Sequence, residues 1–228
     1  MRKELVKMLI KKKIFAVIPV RKGSQRVKNK NLRKFNKKNL LIYKIEKLKK
    51  VKHINEIIVN TDSEEAIDIA KFYKVRFWKR EKYYASSKCS NSEFWSNIAK
   101  NTNSEFIMFT NCTSPLVKIA TYNKILKTFI KKKNIIDSLN TVTDEKQFLY
   151  LNQKALNFNP KKAPNSQNLP NIVKLNFAVN IVRQKVMLNK RSVVGNKPNL
   201  FKLSEQEGFD IDTEQDFEYA EFLHKKLF

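Results

Sequence analysis

Positively charged side chains are concentrated in one short loop near the start of the chain. An apolar run, residues 14–20, leads into this loop, which holds one glycine, Gly23, and one serine, Ser24. Its cations include Arg21, Arg26, Lys28 and Lys30. A strand that ends in such a loop is how α/β proteins present backbone N–H groups and fixed positive charge to a polyphosphate. The loop therefore predicts a nucleotide-binding site.

The glycine content of this loop excludes two common phosphate-binding motifs. Gly23 is the only glycine in it, so the patterns G-x-G-x-x-G and G-x-x-x-x-G-K-[ST] are both absent. The cations must supply the positive charge that backbone dipoles supply in a glycine-rich loop.

Two aspartates near the end of the chain form a second group that could do chemistry. Asp210 and Asp212 are two residues apart, so both carboxylates point to the same side if this stretch is extended. Two oxygen ligands suit Mg²⁺, which usually keeps water ligands and takes others from substrate phosphates. A structural alternative is that Asp212 or Thr213 caps the helix that follows, with Asp210 merely solvated.

Histidines and cysteines limit the chemistry further. His53 and His224 are the only histidines, and their separation in sequence argues against a histidine metal site or a Ser-His-Asp triad. Cys89 and Cys112 are the only cysteines. Because no secretory signature is recognised, we expect reduced thiols in a cytoplasmic protein. Catalysis would then depend on carboxylates, cations and metal.

The charge balance leaves two kinds of partner open. The 228 residues, 42% of them hydrophobic, predict one domain, 1–228, and carry 47 Lys and Arg against 21 Asp and Glu, a net charge of +26. The lysines are spread along the whole chain. This spread indicates a solvated basic surface, which would still attract a small polyanion, more than a nucleic-acid-binding face. No apolar run approaches membrane-spanning length, so no membrane association is expected.

Short apolar runs alternate with segments of helical period. This alternation predicts an α/β fold with a Rossmann-like, mostly parallel sheet and helices on both faces. The predicted strands are 14–20, 56–61, 75–79, 105–110, 138–143, 176–183 and 200–204. The predicted helices are 40–50, 64–73, 92–100, 122–132 and 214–227. Asp62 or Ser63 can cap the second helix, and for Asp62 a capping role is preferred to a role in the pocket.

Residues 144–175 interrupt the alternation. Asn and Gln become frequent, three prolines appear, and no long helical period survives. The segment is either an arm or a surface loop. Its apolar members would be exposed unless a second copy of the chain covered them. These members include Phe148, Leu149, Tyr150 and Leu169.

The cationic loop resembles the N-terminal signature of the acylneuraminate cytidylyltransferase family, whose members activate acidic sugars as CMP conjugates. The residues that match the signature are Arg21, Ser24, Lys30 and Asn31. The metal-binding aspartates of the family match Asp210 and Asp212, before the final helix. In this family the segment corresponding to 144–175 carries an arm that contributes to a dimer and to the neighbouring subunit's site.

Other blocks of the family match unevenly. Asn111 begins a block similar to Gln-x-Thr-Ser-Pro-Leu-Arg, Arg80 matches an Arg ahead of an Ala-Ser-Asp segment, and Asn176 begins a block similar to Asn-Gly-Ala-Ile-Tyr. The departures are Gln25 for Lys, Ser87 for Asp, Val117 for Arg, Ser166 for Arg, Phe177 for Gly and Asn180 for Tyr. Several of them concern the acceptor sugar, so the acceptor is open between sialic acid, another nonulosonic acid and a deoxy sugar acid. Phe177 either lies beside the acceptor or packs in the core.

The resemblance implies a cytidylyltransferase that transfers CMP from CTP to a hydroxyl of an acidic sugar and releases pyrophosphate. The residues assigned to catalysis are Arg21, Lys30, Asp210 and Asp212, the last two as ligands of Mg²⁺. Contacts with the nucleotide are expected from Arg21, Gly23, Ser24, Lys30, Asn31 and Arg80. Contacts with the acceptor are expected from Asn111 and Asn176. The expected partners are CTP, an anionic sugar and a second copy in a homodimer.

Two other functions stay open. One is a catalytically weakened relative that binds nucleotide without transferring it. The departures at Gln25, Ser87 and Val117 support this alternative. The other is a basic α/β protein that binds nucleic acid, suggested by the charge and by Trp78 and Trp95. Aromatic residues at strand and helix spacing are more often core residues than stacking platforms, so nucleic acid is the less favoured partner.

Overall fold

The described part of the chain alternates strands and helices over most of its length. The structure, a computed structural model, describes residues 13–24 and 26–228, so the departure at Gln25 lies outside it. The strands are β1 (Ile14–Val20), β2 (Lys34–Phe35), β3 (Lys38–Asn39), β4 (Glu56–Thr61), β5 (Arg76–Lys79), β6 (Phe106–Phe109), β7 (Ser138–Glu145), β8 (Tyr150–Leu151), β9 (Lys154–Ala155), β10 (Ile172–Arg183) and β11 (Pro198–Lys202). The helices are α1 (Leu40–Lys49), α2 (Glu64–Phe72), α3 (Lys82–Ala85), α4 (Asn91–Asn101), α5 (Ile119–Lys132), α6 (Gln184–Lys190) and α7 (Glu214–Leu227).

Seven strands form one sheet in the order β11-β7-β10-β6-β1-β4-β5. β1 pairs in parallel with β4 and with β6, β5 is parallel to β4, and β11 is parallel to β7. β10 is antiparallel to both of its neighbours. The predicted mostly parallel sheet is therefore confirmed, with one reversed strand.

Alternate residues of β1 pack into two hydrophobic cores, one on each face of the sheet. Ala16 and Ile18 belong to the larger core, whereas Phe15 and Val17 belong to the smaller one. Successive side chains of a strand point to opposite faces, so a continuous apolar run is what a strand covered on both sides requires. This burial fixes the position of β1 and hence of the loop that follows it.

Side-chain caps determine where the main helices begin. Asn39 caps α1 by accepting a hydrogen bond from the backbone N–H of Ile42. Ser90 forms a capping box with Glu93 at the start of α4. These caps satisfy backbone donors that have no partner inside the helix. They explain why the predicted helix starts agree with the observed ones to within a few residues.

The structure adds short elements that periodicity did not predict. They are the hairpins β2–β3 and β8–β9, the four-residue helix α3, and α6. Each is too short to show a period. β10 also begins at Ile172, four residues earlier than predicted, because its first part pairs with β7 before an irregularity between Leu175 and Asn180.

The segment from 144 to 175 contains the end of β7, the hairpin β8–β9, two turns of 3-10 helix and the start of β10. Leu169 is buried within its own chain, unlike the expectation for this segment. The side chains of Phe148, Tyr150, Leu151 and Leu156 are exposed. Within the described residues, no helix has both the length and the apolar character needed to cross a membrane.

Candidate active site

A cleft of about 540 Å³ opens where β1, β5 and β6 reach their carboxyl ends. This edge is where open parallel sheets of α/β proteins bind ligands. The predicted site residues that line the cleft are Arg21, Ser24, Lys30, Asn31, Arg80, Asn111, Asp210 and Asp212. Gly23 and Asn176 are not among its lining residues. The fold thus brings together the cationic loop and the carboxylate pair, although Lys30 and Asp210 are 180 residues apart in sequence.

The cationic loop is fixed at both ends. Gly23 has φ +76°, a left-handed conformation that glycine adopts without a steric penalty. The backbone N–H of Lys22 donates to Asp62 Oδ1 at 2.8 Å, and Val27 is fully buried. Lys22 and Val27 are therefore both anchored to the body of the fold at the mouth of β1.

Of the two residues predicted to cap α2, Asp62 does not cap it and Ser63 does. Ser63 is the cap, and its Oγ accepts a hydrogen bond from the backbone N–H of Ala66 at 3.4 Å. Asp62 lies one residue outside the helix, where its carboxylate can reach the backbone of Lys22 instead. Its role is to join the end of β4 to the cationic loop.

Lys30 reaches from the cationic loop to the carboxylate pair. Its Nζ donates to the backbone carbonyl of Ile211 and lies 3.8 Å from Asp212 Oδ1. Burial lowers the pKa of Lys30, while the negative charges of Asp210 and Asp212 act in the opposite direction. The ammonium is thereby held at the point where the two segments meet.

Asp210 is held by the loop that follows β6. Ser114 Oγ donates to Asp210 Oδ1 at 3.4 Å, and the backbone N–H of Ile211 donates to the carbonyl of Thr113 at 2.9 Å. Burial raises the pKa of Asp210, and hydrogen bonding from Thr113 and the charge of Lys30 oppose this rise. Thr113 and Ser114 had not been predicted to act in the site, because their role depends on the approach of a distant segment.

Asp212 does not cap the final helix. Thr213 is the cap of α7, with its Oγ1 accepting from the backbone N–H of Asp216 at 3.1 Å. The carboxylate of Asp216 in turn accepts from the backbone N–H groups of Asp212 and Thr213. The carboxylate of Asp212 takes no part in this cap and lies 2.8 Å from an Arg26 nitrogen across the cleft.

The two carboxylates suit a hard cation that shares its ligands with a phosphorylated substrate. Asp210 and Asp212 line one cleft beside cationic side chains. The part of the chain that the structure describes contains no cluster of three or more His, Cys, Asp or Glu residues able to hold a metal. A metal here would therefore take further ligands from phosphate and water, as Mg²⁺ usually does.

Arg80 presents a fixed positive charge on the opposite wall. Its Nε donates to Asn60 Oδ1 at 2.7 Å and its terminal nitrogen to the Asn60 carbonyl at 2.8 Å. The guanidinium carbon lies 4.3 Å from the centre of the Phe94 ring. Burial lowers the pKa of Arg80 to about 10. Arg80 is therefore still charged at neutral pH and cannot swing away without breaking these contacts.

Asn31 is a lining residue of the cleft with a buried, unsatisfied acceptor atom. The residue is buried, and its Oδ1 has no hydrogen-bond partner among the described residues. A buried polar atom without a partner costs about 1–3 kcal/mol. A donor on a ligand in the cleft would remove this cost. Asn111, at the end of β6, also lines the cleft.

Asn176 and Phe177 differ in position although they are neighbours. Asn176 is buried beside the cleft, where its Oδ1 accepts from Thr141 Oγ1 at 2.7 Å. Phe177 lines the cleft with φ +53°, and its ring lies 6.2 Å from that of Trp95 at an interplanar angle of 22°. A bulky residue at positive φ is strained. Phe177 is thus a wall of the cleft and packs on Trp95, which sequence reasoning had not placed there.

Comparison with known proteins identifies the family. A family profile described as Cytidylyltransferase matches residues 15–228. The chain is 30% identical to Post-translational flagellin modification protein B of Campylobacter coli, over 93% of this chain and 95% of that protein. It is 27% identical to CMP-N,N'-diacetyllegionaminic acid synthase of Campylobacter jejuni, over 92% of this chain and 94% of that protein.

A solved structure supports the fold independently. The structure of CMP:2-keto-3-deoxy-manno-octonic acid synthetase complexed with CTP gives a TM-score of 0.71 at 15% identity, covering 95% of this chain and 100% of that one. At this identity the likeness speaks for the fold alone. The profile and the Campylobacter coli relative show that the chain belongs to the cytidylyltransferase family and is a CTP-dependent nucleotidyltransferase.

Proposed function

We propose that the protein transfers CMP from CTP to a hydroxyl group of an acidic sugar and releases pyrophosphate. The observation that carries this proposal is the meeting of the cationic loop and the carboxylate pair in one cleft, with Asp212 unused by the helix cap. A nucleotidyl transfer needs positive charge around a triphosphate and carboxylates for a metal. The cleft offers both within one site.

The reaction forms one bond and breaks another at the α-phosphorus of CTP. The acceptor hydroxyl oxygen attacks this phosphorus in line, the bond to the oxygen that bridges the α- and β-phosphates breaks, pyrophosphate leaves, and the hydroxyl proton is released to solvent. Such a transfer depends on positioning and charge neutralisation more than on covalent help from the protein. Arg21 and Lys30 bind the phosphates, and Ser24 with the backbone at Gly23 supplies further donors.

The family implies a divalent metal ion, and we assign Mg²⁺ to Asp210 and Asp212. When bound, the ion would neutralise charge on the phosphate oxygens. The raised pKa of Asp210 reflects the cost of a buried charge, and a cation at this position would offset that cost. The donor set is hard oxygen, which suits this ion.

The base is recognised through a group that can donate a hydrogen bond to Asn31. Its Oδ1 is a buried acceptor without a partner among the described residues, and the exocyclic amino group of cytosine is such a donor. Uracil carries a carbonyl at the same place and would leave Asn31 unsatisfied. This difference supports CTP over UTP on physical grounds that are separate from the family.

The acceptor is a nonulosonic acid or a related sugar acid that the cleft binds without the family's usual arginine. Val117, which replaces that arginine, is fully buried in the core, so no cation takes its place locally. Among the cations that line the cleft, Arg80 is held by two hydrogen bonds to Asn60, away from the carboxylate pair. The Campylobacter relative named for a CMP-legionaminic acid supports an acceptor of this class.

The active species is a homodimer built through the segment 144–175. Phe148, Tyr150, Leu151 and Leu156 expose apolar side chains there, and Phe158 packs edge-on against the rings of Phe148 and Tyr150. Exposed patches of this kind mark interaction surfaces. Sedimentation of the wild-type protein and of Tyr150→Lys should show a dimer and a shift toward monomer, respectively.

The proposed transfer is tested by pyrophosphate release. The purified protein is incubated with CTP, Mg²⁺ and a panel of nonulosonic and deoxy sugar acids, and pyrophosphate is measured with each. At least one acid should support release far above the rate with CTP alone. If CTP binds but none of the acids supports release, the protein is a nucleotide-binding relative without transferase activity.

A further inference from the structure

A lysine is buried in the core directly beneath the loop that follows β6. Lys44 of α1 is 2% exposed. Its Nζ donates to three oxygens, namely Tyr122 Oη at 2.7 Å, the Ser114 carbonyl at 3.1 Å and Thr110 Oγ1 at 3.4 Å. All three are neutral groups. Within the described residues, none of the ion pairs involves Lys44.

This arrangement is a poor way to stabilise a fold. Taking an ammonium group out of water is costly, and neutral oxygens repay less of that cost than a carboxylate would. Replacing buried charged groups by apolar residues of similar volume is often neutral or stabilising. Tyr122 Oη and Thr110 Oγ1 lie 3.1 Å apart, so they could satisfy one another without Lys44.

The contacts of Lys44 lead to Asp210 in two steps. Lys44 holds the carbonyl of Ser114, whose Oγ donates to Asp210 Oδ1 at 3.4 Å. The preceding carbonyl, of Thr113, accepts from the backbone N–H of Ile211 at 2.9 Å. The stretch that Lys44 fixes is therefore the one that carries both contacts to the carboxylate segment.

A second lysine of the same helix extends this support. Lys47 lies three residues after Lys44, on the same face of α1, and its Nζ donates to the Pro115 carbonyl at 2.7 Å. Two successive carbonyls of the loop are thus bound by two lysines of one helix. Since α1 packs in the main core, the loop has a rigid element behind it.

We propose that Lys44 is a positioning residue that fixes the loop Thr110–Pro115 and, through Ser114 and Thr113, places Asp210 in the cleft. The expected effect of Lys44 on turnover rests on the proposed function. Its expected effect on the geometry of the carboxylate segment does not. The two consequences can be measured separately.

The test compares Lys44→Met with Lys49→Met. Methionine fills the space of the lysine stem and removes the ammonium. Lys49 is the matched control, because it belongs to the same helix and its Nζ also donates to a backbone carbonyl, that of Tyr73 at 2.8 Å, away from the cleft. Amide hydrogen exchange at Ile211, the melting temperature and the Mg²⁺ dependence of transfer are measured for both variants.

Lys44→Met should keep the melting temperature of the wild type while exchange at Ile211 becomes about tenfold faster, because Lys44 no longer fixes the Ser114 carbonyl and the neighbouring Thr113 carbonyl, which accepts the Ile211 N–H, becomes free to move. Turnover should fall about tenfold and half-saturation should need more Mg²⁺, since small displacements of a catalytic group are costly. Lys49→Met should change neither exchange at Ile211 nor turnover.

Wild-type exchange at Ile211 in Lys44→Met would overturn the proposal, as would faster exchange spread equally over β1 and β6. If Lys44→Met does not fold, Ser114→Ala breaks the same series of contacts at its last step and should show the same higher Mg²⁺ requirement. Wild-type Mg²⁺ dependence in that variant would overturn the proposal. Absence of transfer by the wild-type protein would refute the proposed function alone, because the exchange measurement would still decide the role of Lys44.

Discussion

At one end of the cleft, charged residues from two short segments meet around the expected position of the phosphates, and at the other end amides and aromatic rings from several elements form the wall. The charged end consists of the loop after β1 and the stretch before α7. The opposite end includes Arg80 after β5, Trp95 from α4 and Phe177 from β10. At the charged end the lining residues Arg21, Ser24, Lys30, Asp210 and Asp212 match the family's motifs, whereas at the opposite end Arg80 matches and Phe177 departs.

The difference teaches how far a local motif determines a site. An arginine or aspartate can bind phosphate or metal by virtue of its own charge, so its role follows once the fold brings it to the cleft. An aromatic ring or an amide gains its role from the groups opposite to it. The charged end should therefore govern the rate with every acceptor, and the opposite end should govern the choice of acceptor.

The largest effect is expected from the carboxylates. Asp210→Asn and Asp212→Asn should each lower transfer by about a thousandfold, because charge facing the phosphates is lost. Excess Mg²⁺ should rescue the rate only in part. Turnover is measured across a Mg²⁺ series.

The control for this experiment is Thr213→Ala, which removes the actual cap of α7. It should destabilise the protein by about 1 kcal/mol and leave turnover nearly normal. Near-normal turnover in both Asn variants would contradict the assignment of the metal to Asp210 and Asp212, and with it the proposed mechanism.

The next largest effect concerns the cations of the loop. Arg21→Ala and Lys30→Ala should each lower turnover by about a hundredfold, since both face charge that builds on the phosphates. Lys28→Ala is the matched control, because Lys28 belongs to the same loop but is exposed and does not line the cleft. If Arg21→Ala and Lys30→Ala had the same turnover as Lys28→Ala, the loop would be an ordinary basic turn without a role in catalysis.

The sequence was sufficient for the main sheet and for the charged end of the cleft. The run at β1 is apolar throughout because that strand is covered on both faces, so its pattern was unambiguous. The Asp-x-Asp pair was recognisable because it stands before the final helix, where the family resemblance places metal-binding aspartates. Both features are local in sequence.

What the sequence could not supply depends on contacts between distant residues. Asp62 and Ser63 are equally good capping residues by type, and only the approach of Lys22 decides between them. Asn176 is buried against Thr141 because β10 is irregular at that point. Its role at the acceptor stays a prediction, and so does the assembly built on the segment 144–175.

A smaller and more selective effect is expected at Phe177. Phe177→Gly removes a ring from the wall and relieves a left-handed backbone, so the melting temperature should change little. The KM for the acceptor should rise about tenfold, a change typical of a few lost apolar contacts, while the KM for CTP stays the same. An unchanged KM for the acceptor would show that the ring is only packing.

The control is Lys74→Gly. Lys74 has φ +52°, close to the value at Phe177, but it follows α2 and does not line the cleft. It therefore reports the effect of the backbone change alone. A rise in the acceptor's KM in this variant too would point to a general loosening of the fold.

The smallest effect is expected in the melting temperature, where different nucleoside triphosphates distinguish recognition of the base from binding of the phosphates. A ligand that binds only the folded protein at a hundred times its Kd stabilises it by about 2.7 kcal/mol, which corresponds to roughly 5–10 °C for a chain of this size. CTP should raise the melting temperature more than UTP, ATP or GTP at equal concentration. The gap between CTP and UTP should be a few degrees, since one unpaired buried acceptor is worth about 1–3 kcal/mol. In Asn31→Ala, where that acceptor is missing, CTP and UTP should give the same shift. If CTP still raised the melting temperature of Asn31→Ala more than UTP did, another part of the cleft would recognise the base. Asn31 would then contact the sugar or the phosphates.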